Sequence, residues 1–278
     1  MKHSHYSRVL PCLAIACVMA TGVSAGDLAS SGSGDALRGH PDRPQHPDLS
    51  RVNVVLVHGA FADGSSWSKV IPLLRERGLH VVAVQNPESS LADDADAATR
   101  TINQQSGPVV LVGHSWAGAV ITQAGINRKV KALVYVSAFA PDKGQSVNDI
   151  LAPYPAPAWA SALVYDEGNY MTLPEKNILE DFAPDLPKND ARLLATIQVP
   201  WNERCLGDKL TAAAWRTKPS TWVLSLDDRI IPAELQEQMS SHIGAKVTRI
   251  HSSHVSLLSH PREVAEAIID TAEDVAGH

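Results

Sequence analysis

Residues 109–118 carry the most informative pattern in the chain, Val109-Val110-Leu111-Val112-Gly113-His114-Ser115-Trp116-Ala117-Gly118. A run of aliphatic residues leads directly into a serine, and a helical pattern follows from Trp116 to Ile126. This order predicts a buried strand, a sharp turn that carries Ser115, and a helix. Such a turn needs small residues two positions before and two positions after the serine, and these are Gly113 and Ala117.

The small residues around Ser115 favour a catalytic nucleophile over a structural serine. A serine at the start of a helix often caps that helix, and Ser115 suits this role as well. A cap, however, does not need Gly113 and Ala117 beside it. The usual nucleophile turn has Gly where this chain has Ala117, which is a small departure. We interpret Ser115 as a nucleophile at a helix N-terminus, where developing negative charge is favoured.

Strands and helices alternate on both sides of this turn. Apolar, β-branched runs predict further strands, and longer stretches with helical periodicity predict helices between them. The alternation predicts an α/β fold with a mostly parallel, six-stranded sheet and helices on both faces. The predicted strands are 52–57, 80–84, 109–112, 132–136, 221–226 and 246–250, and the predicted helices are 67–77, 91–104, 116–126, 233–242 and 262–276.

Residues 141–219 interrupt this alternation without a clear buried strand, and they are rich in Pro, Trp, Tyr and Ala. The segment leaves the sheet after the strand that ends near Val136, at the carboxyl edge where sites form in such sheets. It is either an ordinary helical excursion or a lid over the site. We favour a mainly helical cap, and its aromatic residues favour a largely apolar substrate.

The N-terminus has the pattern of a signal peptide. Lys2 and Arg8 precede or flank an apolar run over residues 9–20, and residues 23–25 are small enough for cleavage. The run is too short to span a bilayer, which needs ~20 apolar residues. We therefore predict a signal peptide over residues 1–25 and export to the periplasm or the medium.

The rest of the composition limits the possible partners. The chain has 278 residues, 44% of them hydrophobic, and a formal net charge of −6 without a run of Lys or Arg. Nucleic acid is therefore an unfavourable partner, as is a membrane once the signal peptide is removed. Residues 26–50 are rich in Gly, Ser, Asp and Pro and predict a flexible leader, so the folded domain is expected over 51–278. Cys205 is the only cysteine after residue 25, which excludes an internal disulfide, and the oligomeric state stays open.

The loop after the first predicted strand supplies candidate oxyanion-binding groups. Acyl transfer needs backbone N–H donors aimed at the carbonyl oxygen as it becomes negative. One donor is expected from Trp116, which follows the nucleophile, and the other from Ala60 or, as the alternative, Phe61. A glycine turn after a strand is common by itself, and the serine turn raises its significance. The side chains of Phe61 and Trp116 line either the substrate pocket or the core.

The general base is expected after the last strand, where His251 and His254 both occur. We prefer His254, because it lies deeper in the loop before the closing helix, and we place His251 at the rim. A metal site formed by the two histidines is the alternative. No acidic residue stands at ligand spacing beside them, and the proposed chemistry needs neither a metal nor an organic cofactor.

Two adjacent acids, Asp227 and Asp228, follow the previous strand and compete for the role of orienting His254. A buried carboxylate at this place fixes the imidazole tautomer and stabilises the imidazolium. Side chains of an extended segment alternate in direction, so only one acid can face His254. We prefer Asp228. The chain order Ser115, Asp228, His254 is that of the α/β-hydrolases.

With these motifs the chain resembles the α/β-hydrolases related to plant hydroxynitrile lyases and methyl-ester esterases, among them small bacterial carboxylesterases. The resemblance covers about Arg51 to the C-terminus. It implies a six-stranded parallel sheet with an inserted cap, and it implies that the acid of the Asp-x-x-x-Pro stretch, Asp228, is catalytic. The matching pieces are Leu56–Ala60 with Trp67, Gly113–Ser115, Asp228–Pro232 and Ser253–His254.

One departure separates the chain from the lyases of this group. Hydroxynitrile lyases have Lys directly after the catalytic His, whereas this chain has Val255. The resemblance therefore implies a carboxylesterase that acts on small to medium hydrophobic esters; some bacterial relatives hydrolyse pyrethroid-type esters. Lactonase, amidase or lyase activity on the same scaffold, or a ligand-binding homologue with little turnover, are the alternatives, because fold does not fix function.

Overall fold

The computed structural model describes residues 47–277. The predicted signal peptide and residues 26–46 of the predicted leader lie outside the described residues, so both stay predictions. Packing begins at Leu49, which is 3% exposed, two residues before the predicted start of order at Arg51. No helix in the described part of the chain is long and apolar enough to cross a membrane.

Two sheets are present within residues 47–277. The larger is a six-stranded sheet with the order β2-β1-β3-β4-β8-β9 and parallel pairing throughout, which confirms the predicted sheet. The smaller is a three-stranded antiparallel sheet, β5-β6-β7. The strands are β1 (Asn53–Val57), β2 (His80–Ala83), β3 (Val109–His114), β4 (Val130–Val136), β5 (Val164–Tyr165), β6 (Tyr170–Thr172), β7 (Trp201–Asn202), β8 (Ser220–Ser225) and β9 (Lys246–Ile250).

The burial of the central strands explains why the sequence predicted them. Every residue of β1, β3 and β8 is buried, as expected for strands covered on both faces. The edge strands β2 and β9 contain exposed and half-buried positions instead. The large sheet therefore has its most apolar strands at its centre.

The helices form layers that cover the sheet. One layer is α1 with α10, which contacts β3, β4 and β8, and the other is α2 with α3, which contacts β1, β3 and β4. The helices of residues 47–277 are α1 (Val70–Glu76), α2 (Leu91–Gln104), α3 (Ala117–Ala124), α4 (Val147–Leu151), α5 (Glu175–Asn177), α6 (Lys188–Ile197), α7 (Arg204–Gly207), α8 (Ala233–His242), α9 (Ser256–Ser259) and α10 (Pro261–Ala276).

The observed helices differ from the predicted ones mostly at their first and last residues. The bounds of α2 and α8 are as predicted, whereas the predicted helix 67–77 is divided into a 3-10 turn, Gly64–Trp67, and α1. Ser90 fixes the start of α2, because its side chain accepts a hydrogen bond from the N–H of Asp93.

The strand order positions the loops that carry the candidate site. β1 lies between β2 and β3, so the chain moves outward to β2 and then returns to the other side of β1. The carboxyl ends of β1 and β3 flank this switch point, where clefts form in parallel sheets. The loop with Ala60 follows β1, and Ser115 follows β3 directly.

The predicted cap lies between β4 and β8, and it is mainly helical, as predicted, with α4 to α7. It also contains the small antiparallel sheet β5-β6-β7, which the sequence did not predict. These strands have two or three residues each, which is too short for an alternating pattern to show in the sequence. A π-helical turn, Ile178–Phe182, also belongs to this insertion.

Candidate active site

Ser115 occupies a strained turn between β3 and α3. Its φ is 55°, in the left-handed region that non-glycine residues rarely adopt. The turn is held from both sides, because the N–H of Ser115 donates to the Val136 carbonyl (3.1 Å) and the N–H of Phe139 donates to the Ser115 carbonyl (3.2 Å). Strain of this kind persists only where the surroundings fix it, as at many functional sites.

The turn explains the small residues around the serine. A Cβ at Gly113 would lie 2.6 Å from the carbonyl oxygen of Ala117, so any larger residue would clash with the backbone. A Cβ at Gly118 would lie 2.0 Å from the carbonyl oxygen of Phe139. Ala117 itself is fully buried, and its methyl group is accommodated, so the departure from the usual Gly leaves the turn intact.

Gly118→Ala should therefore destabilise the protein, because the clash involves a backbone atom that cannot move aside cheaply. Overpacking of this kind costs ~1–3 kcal/mol, and we expect the free energy of unfolding to fall by at least that amount. Chemical denaturation measures it. Gly207→Ala is the control, because the nearest atom to its new Cβ is 3.9 Å away. Equal denaturation midpoints for the two variants would contradict the close packing of this turn.

The structure brings Ser115, His254 and Asp228 into one hydrogen-bonded line. The Nε2 of His254 lies 2.8 Å from the Oγ of Ser115, and its Nδ1 lies 2.8 Å from Oδ2 of Asp228. The side chains of His254 and Asp228 are fully buried. With Nδ1–H donating to the carboxylate, Nε2 is free to accept the serine proton, which is the arrangement that general-base catalysis needs.

Asp228 is fixed by more than the histidine. Its Oδ1 accepts hydrogen bonds from the N–H groups of Ile230 (2.8 Å) and Ile231 (3.0 Å). Its Oδ2 accepts a third from the side-chain amide of Gln236 (2.9 Å), a buried residue of α8 that also donates to the Ile231 carbonyl. The carboxylate is thus oriented before it meets His254.

The neighbouring acid and histidine form a separate pair at the surface. The Nδ1 of His251 lies 3.3 Å from Oδ2 of Asp227, and their side chains are 81% and 63% exposed. Asp227 faces solvent from the turn after β8, whereas the side chain of Asp228 is buried. The geometry joins Asp228, and not Asp227, to the histidine beside Ser115.

His114 supports the backbone of the candidate base. Its Nε2–H donates to the carbonyl oxygen of His254 at 2.9 Å, and the two rings are 4.8 Å apart. Burial holds the pKa of His114 well below its usual range, and the neighbouring His254 lowers it further. His114, which directly precedes Ser115, is therefore neutral and donates this hydrogen bond from Nε2.

The cap reaches the loop of the candidate base. Phe182 packs with its ring 5.1 Å from the imidazole of His254. Asp185 accepts hydrogen bonds from the N–H of Ser253 (2.8 Å) and from its Oγ (2.5 Å). The cap thus fixes the residue that precedes His254, in addition to covering the sheet edge.

The two candidate oxyanion residues differ from the alternative in one contact. Within the described residues, the N–H groups of Ala60 and Trp116 have no hydrogen-bond acceptor. The N–H of Phe61, in contrast, donates to the Oε2 of Glu88 at 3.2 Å. Ala60 is therefore better suited than Phe61 to supply the second oxyanion donor.

An apolar cavity of about 380 Å³ opens beside Ser115. Both residues that the sequence suggested for substrate contact, Phe61 and Trp116, line it. The cap supplies the opposite wall with aromatic and small residues, and no lining residue of the described chain is Asp, Glu, Lys, Arg or His. A larger cleft of about 1010 Å³ lies at the other edge of the sheet, beside Pro108 and Pro219, away from the serine.

Residues 47–277 provide no side-chain arrangement for a metal ion and no reactive cysteine. No group of three or more His, Cys, Asp or Glu residues is arranged to hold a metal ion there. Cys205 is buried, and this burial raises the pKa of its thiol, which opposes formation of a reactive thiolate.

Sequence reasoning missed several supporting residues. Gln236 and Asp185 belong to no motif, and only the fold brings them to the site. His114 stands inside the serine motif, where its position beside Ser115 was the available signal. Glu88 and Asp94 lie in the loop after β2 and in α2, and nothing in their sequence context predicted burial.

Comparison with known proteins agrees with the fold. Residues 54–267 match the model of the alpha/beta hydrolase family. A pyrethroid hydrolase of Sphingobium wenxiniae is 26% identical over 253 residues, which cover 81% of this chain and 89% of that protein. Methylesterase 1 of Arabidopsis thaliana is 24% identical over 259 residues, with 80% and 97% covered.

Among solved structures, a pyrethroid hydrolase from Sphingobium faniae superposes with a TM-score of 0.70 over 82% of this chain and all of that one. At 22% identity this likeness shows the fold. The predicted resemblance to the methyl-ester esterase group is confirmed by the family match and the methylesterase relative.

Proposed function

The chain belongs to the alpha/beta hydrolase family and is related to esterases, and we propose that it is a serine carboxylesterase for small to medium hydrophobic esters. The observation that carries the proposal is the hydrogen-bonded line from Asp228 through His254 to Ser115, with 2.8 Å at each step. An ordinary buried serine needs no such pair of partners.

The first half-reaction forms an acyl-enzyme. The Oγ of Ser115 attacks the ester carbonyl carbon while its proton moves to Nε2 of His254. Asp228 stabilises the resulting imidazolium through its hydrogen bond with Nδ1–H. The carbonyl oxygen takes up the negative charge, and the N–H groups of Ala60 and Trp116 donate to it. The tetrahedral intermediate then collapses, and the leaving alcohol takes the proton from Nε2.

The second half-reaction repeats these steps with water. Water loses a proton to Nε2 of His254 and attacks the acyl carbon that is bound to Ser115. The intermediate releases the carboxylic acid, and the proton returns from Nε2 to the serine oxygen. The same residues thus serve both halves, and the enzyme ends in its starting protonation state.

The cavity supports the choice of substrate class. Its walls combine Phe61, Trp116 and Phe139 with cap residues such as Tyr154 and Trp159. Apolar walls stabilise hydrophobic groups by removing them from water, at ~25 cal/mol per Å² of buried area. A charged group would lose hydration there without a partner of opposite charge. Neutral hydrophobic esters therefore fit this cavity best.

The rival within the family is a lyase, and the rival outside catalysis is a ligand-binding protein. Val255, which stands where the resemblance places Lys in hydroxynitrile lyases, is 2% exposed and supplies no cation to the site. A ligand-binding homologue would retain the cavity but turn over little or nothing. Turnover is therefore the quantity that separates the proposal from this rival.

We expect the full chain to hydrolyse p-nitrophenyl esters of short and medium acyl chains and to react with a fluorophosphonate at Ser115. Release of p-nitrophenol measures turnover, and mass spectrometry of the peptides locates the label, with Ser115→Ala as the unlabelled control. Labelling without turnover on any ester of the series would support the ligand-binding rival. A chain that is neither labelled nor active would refute the activated serine.

A further inference from the structure

Glu88 is a buried acid without a cationic partner. It is fully buried, and no Lys or Arg in the described part of the chain lies within ion-pair distance of it. The Nδ1 of His58 lies 3.4 Å from Oε1 of Glu88. Because Nε2 of His58 accepts a hydrogen bond from the N–H of Asn86, the ring proton is on Nδ1 and points toward the Gly59 carbonyl.

The side chain of Glu88 holds the loop that supplies a proposed oxyanion donor. Its Oε2 accepts the hydrogen bond from the N–H of Phe61, the residue after Ala60. Phe61 has a φ of 61°, in the left-handed region that non-glycine residues rarely adopt. The Glu88 carboxyl therefore fixes the orientation of this loop.

The backbone of Glu88 connects to the residue that supplies the other donor. Its N–H donates to Oδ1 of Asp94 at 2.8 Å, and Oδ2 of Asp94 accepts a hydrogen bond from the indole Nε1–H of Trp116 at 2.8 Å. Asp94 is likewise fully buried. One connected pair of acids thus contacts both Phe61 and Trp116.

Further contacts hold Glu88 itself. Its φ is 57°, again in the left-handed region, and its carbonyl accepts the N–H of Asn202 at 2.9 Å. Trp201, the preceding residue of β7, packs edge-on against Phe61 and tilted against Trp116. The pair of acids is therefore enclosed between the sheet and the cap.

Burial of the two carboxyl groups costs folding free energy, because it removes them from water. Burial raises the pKa of Glu88 well above its usual range, and the charge of Asp94 raises it further. Burial also raises the pKa of Asp94 to about 6, against the effect of the Trp116 hydrogen bond. Perturbed buried acids of this kind are frequent at functional sites, and the contacts of this pair lead to both proposed oxyanion residues.

We propose that Glu88, with Asp94, is a positioning residue for the oxyanion hole: it engages the N–H of Phe61 so that the N–H of Ala60 faces the carbonyl oxygen at Ser115. The inference rests on the proposed esterase function. It requires Glu88 to act through its acceptor oxygen and not through its charge. Removal of the acceptor should therefore affect the transition state, in which the oxyanion forms, more than substrate binding.

Glu88→Leu and Glu88→Gln separate these roles. Leucine has no acceptor, and we expect kcat for a p-nitrophenyl ester to fall by about ten- to a hundredfold while KM changes by less than about threefold. Complete loss of one oxyanion donor costs ~10²–10³, and a donor that is present but misoriented costs less. Glutamine keeps an acceptor and resembles the protonated carboxyl, so kcat should stay within about threefold of the wild type. A purely structural role would change the melting temperature without this division between kcat and KM.

Each result with these variants either supports or overturns the positioning role of Glu88. A folded Glu88→Leu variant with unchanged kcat, or with a change in KM alone, overturns the inference. Loss of kcat in Glu88→Gln equal to that in Glu88→Leu also overturns it, because the acceptor would then not matter. If Glu88→Leu does not fold, Asp94→Asn takes its place, since the two donors contact different oxygens of Asp94 and the amide NH₂ group would face one of them. A lower kcat at unchanged KM supports the inference, and an unchanged kcat contradicts it.

Failure of the proposed function gives a different result. If the wild type is labelled by a fluorophosphonate but hydrolyses no ester, the labelling rate replaces kcat, because the phosphonyl oxygen occupies the same oxyanion hole. A labelling rate lowered in Glu88→Leu and retained in Glu88→Gln would still support the positioning role. A wild type without labelling or turnover would refute the function and, with it, the inference.

Discussion

His254→Ala should lower kcat for ester hydrolysis by about a millionfold, the size of effect known for loss of the base in a serine hydrolase triad. The reason is geometric, because Nε2 of His254 is the atom that lies 2.8 Å from the serine Oγ. Without it, the serine proton has no acceptor and the leaving alcohol has no donor. Steady-state hydrolysis of a p-nitrophenyl ester measures the change.

The chain supplies a matched control three residues earlier. His251 is exposed and pairs with Asp227 at the surface, so His251→Ala should leave kcat within about twofold of the wild type. If the two variants lost activity equally, the assignment of the base would be wrong. If neither lost activity, hydrolysis would not pass through this triad.

The sequence predicted the sheet because its central strands are buried on both faces. Such strands are continuous apolar runs, and β1 and β3 were recognisable for that reason. The serine turn was recognisable from Gly113 and Ala117, and at Gly113 the physical reason is that a Cβ would lie 2.6 Å from the Ala117 carbonyl oxygen. Local physical requirements of this kind leave a local trace in the sequence.

No local sequence pattern predicted the antiparallel sheet of the cap. Its strands have two or three residues, and β7 is separated from β6 by α5, the π-helical turn and α6. Pairing at that sequence distance depends on the tertiary structure, which no local pattern encodes. The same holds for Gln236 and Asp185, whose partners are determined by the fold.

The choice between Asp227 and Asp228 as the acid that orients His254 could be made only in part from the local sequence. Alternation along an extended segment predicted that only one of Asp227 and Asp228 faces His254, but not which one. The family resemblance favoured Asp228, and the structure places its carboxylate 2.8 Å from Nδ1. The buried pair Glu88 and Asp94 was not foreseen, because acids in a polar loop and a helix start are typical of the surface.

Asp228→Asn should lower kcat by about ten-thousandfold while leaving the site folded, as expected for an acid that orients the base. The amide is almost the same size as the carboxylate, and its oxygen can still accept from the N–H groups of Ile230 and Ile231. Its NH₂ group would then face Nδ1 of His254 and the amide of Gln236, both of which donate to Asp228 in the wild type. The imidazole would have to present a bare Nδ1, so its proton would move to Nε2, where it blocks uptake of the serine proton.

Asp227→Asn is the matched control, because it makes the same chemical change one residue away. Its carboxylate is largely exposed and, among residues 47–277, pairs with His251 alone, so we expect kcat to stay within about twofold of the wild type. Single-turnover measurements with the ester would show that the loss in Asp228→Asn lies in acylation and deacylation, both of which use His254. Equal losses in the two variants would mean that the general charge of this loop, and not the orientation of the imidazole, sustains the reaction.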